Sequence, residues 1–511
     1  MGRDDGKAVR SGALVRLSPG LLAGATAVGF AAWSGQLFVL IVGLALAFLL
    51  LLWKSDPSSA FTALLVETSL LDRITLPVHG ANIRPEVVVA VPTLLFIATS
   101  MLRSRVRPGW LVPDLFLLGW LALNGFASLL APDPLLALKE WVSLLLSASA
   151  YYFIRWLTRD RLREAVRLLL VLGAAVCGLG IAAYLVSPLG FLLGTQLNRD
   201  AHVLMATGTL KEADIFGSFA ACLLLLSAGC IVTRQPDKRL AWLALASSAV
   251  ALAASLARTP WLAALLGAAC GMVVWRHDSY ARSVRVVASA SAIAIAGGIV
   301  LSLMGTSQPR STALAEDTRP TVAATVSPSM EGLPAVAQAS SASDSRGVVQ
   351  RLRSLLDLQT DPTVQGRLHA ASLAIADWRK SPLVGRGTAS FGQVYTDSSH
   401  QPAWIFNIEL RALHDTGLIG LLLFGSFSIG LTLMALRPKS GPAGDLTNVL
   451  LVAALVLWIA AQGTEPFQLM WPWILLGLLA SAVASSEPDQ ALTQRSLAYG
   501  GNPTAPESVA G

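Results

Sequence analysis

The feature that most constrains this chain is a series of apolar segments, 12 to 24 residues long, most of them separated by short polar connections. A helix needs about 20 apolar residues to cross the hydrocarbon of a bilayer. Of the 511 residues, 54% are hydrophobic and 14% are charged, whereas a soluble domain carries about 25% charged residues. The sequence therefore predicts an all-α, polytopic transmembrane helix bundle and argues against a soluble enzyme.

The apolar segments predict about 12 to 14 spans. The strong candidates cover residues 37–53, 87–102, 111–130, 136–157, 165–186, 215–232, 241–257, 261–275, 286–304, 413–436, 449–461 and 467–484. Two weaker candidates cover residues 21–33 and 60–71.

Basic residues in the short connections predict which way the bundle faces, because Lys and Arg accumulate on the cytoplasmic side. Basic connections alternate with poorly basic ones, and they also account for the net charge of +7, so we expect no nucleic-acid partner. The prediction is a multi-pass protein of a bacterial inner membrane with both termini in the cytoplasm. The basic connections lie at residues 103–107, 155–167, 234–239, 276–285 and 437–439.

This topology predicts one large segment on the outer side of the membrane. Its first part, residues 305–345, is rich in Ser, Ala, Thr and Pro and is expected to be disordered. Residues 347–356 and 363–380 have helical spacing, and residues 382–392 are expected to form a Gly-rich turn. The predicted regions are a cytoplasmic tail at 1–20, transmembrane helices at 21–304, the large outer loop at 305–412, the last three spans at 413–484 and a disordered cytoplasmic tail at 485–511.

Four short motifs follow one another in the second half of the chain. The first is GTLKEADIFG at 208–217, and the second is SLARTPW at 255–261. The third consists of Arg367, Trp378, Pro382, Gly385 and Gly387, and the fourth of Asn407, Leu410, Asp415, Gly417 and Gly420. In order and spacing they resemble the motifs of the O-antigen ligase and O-antigen polymerase superfamily of membrane glycosyltransferases, over about residues 205–480.

The resemblance implies a glycosyltransferase of cell-surface polysaccharide biosynthesis that works on the outer face of the inner membrane. Its donor would be a glycan on a polyprenyl diphosphate such as undecaprenyl diphosphate, and its acceptor a glycan or a lipid. Membrane lipids are the remaining expected partners. The sequence contains neither a metal-ligand cluster nor a phosphate-binding Gly-rich loop, so we expect no cofactor.

A departing diphosphate needs fixed cations, and arginine binds phosphate bidentately. Arg258 is the first candidate, because it lies at the outer end of a predicted span, where a lipid diphosphate would lie. Arg367 and Arg411 are further predicted substrate-binding residues, and Arg386 is an additional candidate. The alternative for each is an interfacial or solvated charge.

Polar residues near these arginines are predicted to bind substrate as well. Asn407 occupies the place of the family's motif asparagine. Glu212 and Asp214 stand in the polar positions of the first motif. They either orient the acceptor, pair with Arg258 or cap the helix that begins there.

A general base must take the proton of the acceptor hydroxyl. The family has a histidine directly before the motif asparagine, where this chain has Phe406. We therefore predict catalytic roles among Glu409, His414 and Asp415, with His400 as a further candidate. A packed interfacial histidine is the alternative for His414, and a hydrogen-bonding role at the helix mouth is the alternative for Asp415.

Phe406 leaves a second class of function open, namely a transporter or a non-catalytic glycan-export partner that keeps the same fold. The chain shows no internal repeat, which transporter folds often have. A third reading is a peptidoglycan-type glycosyltransferase of the shape-and-division class, whose motifs are not matched. The choice between polymerase and ligase also stays open.

Overall fold

The computed structural model describes residues 57–71, 73, 76–78, 81–104, 109–187, 194–198, 203–235, 237–305, 362–396, 403–437 and 442–485. Several predicted features lie outside the described residues. They are the tails at 1–20 and 486–511, the spans at 21–33 and 37–53, the outer loop from 306 to 361 and His400.

The described part of the chain is built from fourteen α-helices and two short antiparallel strand pairs, which confirms the all-α bundle. Every predicted span within it is helical over most of its length. The first helices are α1 (Pro57–Ser69), α2 (Pro85–Ser104), α3 (Val112–Ser128), α4 (Pro134–Leu157), α5 (Leu162–Val186), α6 (Ala213–Val232) and α7 (Lys238–Ser255). The others are α8 (Arg258–Val274), α9 (Arg276–Gly305), α10 (Pro362–Trp378), α11 (Phe391–Val394), α12 (Ile408–Leu436), α13 (Pro442–Ala460) and α14 (Met470–Ser485).

The strand pairs lie in two connections for which the sequence predicted no regular structure. Strand β1 (Leu76–Val78) pairs with β2 (Ala81–Ile83) between α1 and α2. Strand β3 (Thr195–Asn198) pairs with β4 (Val203–Ala206) between α5 and α6. The second pair ends at Ala206, two residues before the start of the first motif.

Helix α6 forms the centre of the bundle. Its sequence is apolar on every face, and its side chains are buried almost throughout, as expected of a helix surrounded by other helices. It packs against α7, α8, α9 and α13. Among the described residues, α5, α6 and α12 are long and apolar enough to cross a membrane, and five further apolar segments are shorter.

The connections between helices separate to opposite ends of the bundle. At one end, hereafter the site end, the Arg73 guanidinium donates to Thr207 Oγ1 at 2.8 Å, and Thr388 Oγ1 donates to the Asn124 carbonyl oxygen at 2.9 Å. The basic connections meet at the other end. There Arg167 pairs with Asp237 at 3.3 Å, and Arg282 donates to the Val232 carbonyl oxygen at 2.7 Å.

Two helices at the site end begin away from their predicted starts. Helix α8 begins at Arg258 itself, because the turn before it is made by Leu256 in the left-handed region at a φ of 50°. Helix α12 begins at Ile408, five residues before the predicted span. The Asn407 side chain caps it by accepting the Leu410 backbone N–H at 2.7 Å, so a polar turn precedes the apolar part.

Candidate functional site

The Arg367 guanidinium is the point at which the first three sequence motifs meet Phe406, the residue directly before the fourth motif. Its Nη2 lies 2.5 Å from Asp214 Oδ2, and its Nη1 donates to Thr259 Oγ1 at 3.4 Å. The Phe406 ring faces the same group, with its centroid 4.9 Å from Cζ. The Arg367 side chain is 25% exposed and that of Asp214 is 31% exposed, so the cluster is accessible from outside the protein.

The other predicted residues of the first two motifs lie next to this cluster. Arg258 opens α8 and directly precedes Thr259. Glu212 occupies the N-cap position of α6, but its side chain makes no capping hydrogen bond. Of the alternatives for Asp214, the structure shows an ion pair, and its partner is Arg367.

Helix α10 carries Arg367 across the site end because one stripe of its surface faces the protein. Arg367, Ala370, Ala374 and Asp377 recur at spacings of three and four residues, which places them on one helix face. Ala374 is buried against Phe391 in a small apolar cluster. Arg367 in the first half of this face and Asp377 at its end therefore both lie on the side of α10 that faces the bundle.

The Gly-rich turn after α10 interlocks with a break in α12. The turn donates Arg386 N–H to the His414 carbonyl oxygen at 2.8 Å, and the Leu418 N–H returns to the Pro382 carbonyl oxygen at 2.9 Å. Gly385 and Gly417 have φ values of 77° and 68°, and a Cβ on either would collide with the backbone of the other segment. The positive φ and the close approach explain why both motifs need glycine.

His414 is buried between two carboxylates behind this interlock. Its Nδ1 lies 2.9 Å from Asp415 Oδ1 and its Nε2 lies 3.2 Å from Asp377 Oδ2, and its side chain is fully buried. Each ring nitrogen is therefore within hydrogen-bond distance of a carboxylate oxygen. The geometry therefore favours a structural role for His414, which joins the end of α10 to α12.

The two carboxylates are held in place as well. Burial raises the pKa of Asp377, but hydrogen bonds from Lys380 and His414 and the charge of Arg386 outweigh it and hold the pKa below its usual value. Asp415 Oδ2 accepts the Ala389 backbone N–H at 3.1 Å. This arrangement favours the hydrogen-bonding alternative for Asp415.

Glu465, which the sequence analysis did not single out, forms a buried pair with Arg411. Both side chains are less than 10% exposed, and Arg411 also lies 3.5 Å from Asp415. Burial raises the pKa of Glu465 to about 7, although the charge of Arg411 lowers it. The sequence signal for Glu465 is an acidic residue between two predicted spans, on the predicted outer side of the membrane.

The connection between α13 and α14, residues 461–469, joins the parts of the site. The Ile408 N–H donates to the Ala461 carbonyl oxygen at 3.2 Å, and Gly463 leaves no room for a Cβ beside Thr259. The Gln468 carbonyl oxygen accepts from Arg84 at 2.9 Å and from Ser147 at 2.9 Å. This last connection therefore contacts early helices as well as late ones.

Two predicted residues meet at the same connection. Asn407 Nδ2 donates to Gln462 Oε1 at 2.7 Å, and Gln462 Nε2 donates to the Glu409 carboxylate at 2.9 Å. Glu409 is half-buried and Gln462 is exposed, so this polar group lies at the surface of the site end. In the described part of the chain, no three His, Cys, Asp or Glu side chains converge to hold a metal.

A comparison with protein families bears directly on this geometry. Residues 242–425 match the family model described as O-antigen ligase, whereas a search of curated proteins gives no match. The matched region contains Arg258, Arg367, the interlocked glycine turn and the break in α12. Over residues 242–425 the chain is therefore similar to the O-antigen ligase family, as the resemblance of its motifs predicts.

Proposed function

We propose that this protein is a glycosyltransferase that transfers or polymerises saccharide from a polyprenyl-diphosphate-linked donor on the outer face of the bacterial inner membrane. The observation that carries the proposal is the meeting of Asp214, Thr259, Arg367 and Phe406 at one end of the bundle. That end lies opposite the basic connections, which the charge rule assigns to the cytoplasm. The O-antigen ligase domain supports the reaction class.

Arg258 and Arg367 are the proposed diphosphate-binding residues. Asp214 holds Arg367 in one orientation, and the Arg367 Nε is buried and makes no hydrogen bond within the described residues. The contacts with Asp214 and Thr259 use two of the five N–H donors of the guanidinium, which leaves Nη donors for a phosphate oxygen. Arg411 is buried and engaged by Glu465 and Asp415, so we assign it to the organisation of the site.

In the proposed reaction, the acceptor hydroxyl oxygen forms a bond to the anomeric carbon of the donor sugar. The bond from that carbon to the diphosphate oxygen breaks, and the polyprenyl diphosphate leaves with the electron pair. Fixed cations stabilise the charge that develops on the leaving group, which is often the largest catalytic contribution. The hydroxyl proton passes to a carboxylate of the protein.

Glu409 is the best placed of the three predicted catalytic residues to accept that proton. It is half-buried at the surface of the site end and is oriented by Gln462. His414 and Asp415 are buried and engaged in hydrogen bonds. The second candidate function is a transporter or non-catalytic export partner, which the absence of a proton-accepting group at Phe406 favours.

Transfer by the purified protein in proteoliposomes, from a lipid-linked donor to an acceptor saccharide, tests the proposal. We expect turnover by the unmodified protein and a loss of about 100-fold or more for Arg258→Ala and for Arg367→Ala. Arg379→Ala is the matched control, because Arg379 is exposed just beyond α10. A well-folded wild-type protein without turnover would support the non-catalytic reading, and unchanged Arg258→Ala and Arg367→Ala variants would overturn the diphosphate assignment.

A further inference from the structure

The Phe406 ring lies against the face of the Arg367 guanidinium, on which the first three motifs converge. The distance from Arg367 Cζ to the ring centroid is 4.9 Å, within the 6 Å range over which a cation is attracted to an aromatic face. Phe406 is half-buried, so water is partly excluded from the contact. Partial desolvation strengthens such a pair relative to an exposed one.

The chain around Phe406 fixes the position of the ring. Residues 403–407 form an extended segment, and the Ala403 N–H donates to the Tyr395 carbonyl oxygen at 3.0 Å at its start. Ile405 is buried in the apolar cluster beneath α10. At the end of the segment, the Asn407 side chain caps α12. The ring is therefore presented from a segment anchored on both sides.

Arg367 is restrained in two complementary ways. Asp214 and Thr259 engage its terminal nitrogens, whereas Phe406 covers a face of the guanidinium. The edge contacts locate the group, and the ring contact sets the orientation of its plane. Of the three other N–H groups of the guanidinium, Nε–H is buried and makes no hydrogen bond among the described residues.

We infer that Phe406 is a positioning residue, whose ring fixes the plane of the Arg367 guanidinium so that its remaining Nη N–H groups meet a diphosphate. The inference rests on the proposed function for the identity of the anion. In this role Phe406 transfers no proton, so it is not a candidate for the general base.

A leucine at this position keeps an apolar side chain but removes the aromatic quadrupole. For a partly desolvated cation–π pair we expect Phe406→Leu to weaken pyrophosphate binding by about 3- to 30-fold. Phe406→Tyr keeps the ring face and should stay within about 2-fold of wild type. Phenylalanine analogues with one, two and three ring fluorines keep the shape but drain the face of electron density, and should weaken binding progressively.

Titration of the full-length protein in detergent with inorganic pyrophosphate measures this effect without requiring transfer. Phe126→Leu is the matched control, because Phe126 is an exposed side chain of α3. Thermal unfolding of each variant separates lost binding from lost folding. The inference stands if Phe406→Leu binds less tightly while Phe406→Tyr and Phe126→Leu bind as the wild type does.

Three results would overturn the inference. They are undetectable pyrophosphate binding by the wild type, wild-type affinity in Phe406→Leu, and the lack of any trend along the fluorinated series. The transfer assay is a separate readout. Ring-dependent pyrophosphate binding without any saccharide transfer would reject the proposed enzyme activity and leave the positioning of Arg367 in place.

Discussion

Replacing Gly417 with alanine should release the Gly-rich turn from α12. Gly417 has a φ of 68° and a ψ of −167°, a region that is essentially restricted to glycine. A Cβ at this position would collide with the carbonyl group of Leu383. Alanine therefore introduces backbone strain and forces the two segments apart.

The magnitude follows from the contacts that must give way. Holding a non-glycine residue in such a conformation costs about 1–3 kcal/mol. Separation breaks the hydrogen bonds from Leu418 N–H to Pro382 and from Ile419 N–H to Leu383, at 2.9 and 3.3 Å, each contributing about 1 kcal/mol. Strain and the loss of these bonds are alternatives, because separation relieves the strain, so alanine should disfavour the docked turn by about 1–3 kcal/mol and lower the ratio of docked to released turn by about 5- to 150-fold.

Hydrogen exchange of the turn amides measures the release directly. We expect the N–H groups of Arg386 and Gly387, which donate to α12 carbonyl oxygens, to exchange faster in Gly417→Ala by about the same factor. The matched control is Gly425→Ala in the same helix, because a Cβ on Gly425 meets no atom within 4 Å. Equal protection of these amides in Gly417→Ala and Gly425→Ala would refute the interlock as the device that holds the turn.

The remaining predictions concern buried charges. Because burial raises the pKa of Glu465 to about 7, above 4.5, folding favours the neutral acid and stability should fall as the pH rises from about 4.5 to 7. Glu465→Gln should flatten this part of the profile of thermal unfolding in detergent, and an unchanged slope would contradict it. Asp114→Asn should cost about 3–5 kcal/mol, because it leaves the Arg155 charge uncompensated at a contact of 2.6 Å. Asp237→Asn, in the more exposed pair with Arg167, is the control and should cost at most about 1 kcal/mol. Similar unfolding temperatures of the two Asn variants would contradict the stronger contribution of the buried pair.

Helix positions could be predicted because each span repeats one property over many residues. Even so, the start of α12 was misplaced, since the polar turn before the span depends on the Asn407 cap and not on hydropathy. Pairing of β3 with β4 had no comparable signal. Strands of four residues are too short for an alternating pattern of hydropathy to indicate them.

The candidate site was predictable in outline and not in its pairings. Motif order indicated that Asp214, Arg258 and Arg367 belong together, but the partner of Asp214 depends on how α10 crosses the bundle. His414 appeared to be a possible base because its residue type suits proton transfer. Its two carboxylate neighbours come from α10 and α12, and only the folded structure brings them to the same ring.

The connection at 461–469 has a consequence for the order of assembly. A chain emerging from the ribosome delivers Thr259, Arg367 and Asn407 to the membrane before this connection has been synthesised. The connection then contacts Thr259 through Gly463 and Asn407 through Gln462, and Gln468 joins it to Ser147 of the early helix α4. The early helices therefore make these contacts only after the late helices have been synthesised. A gene truncated after residue 425 would encode all residues matched by the family model but not the connection at 461–469.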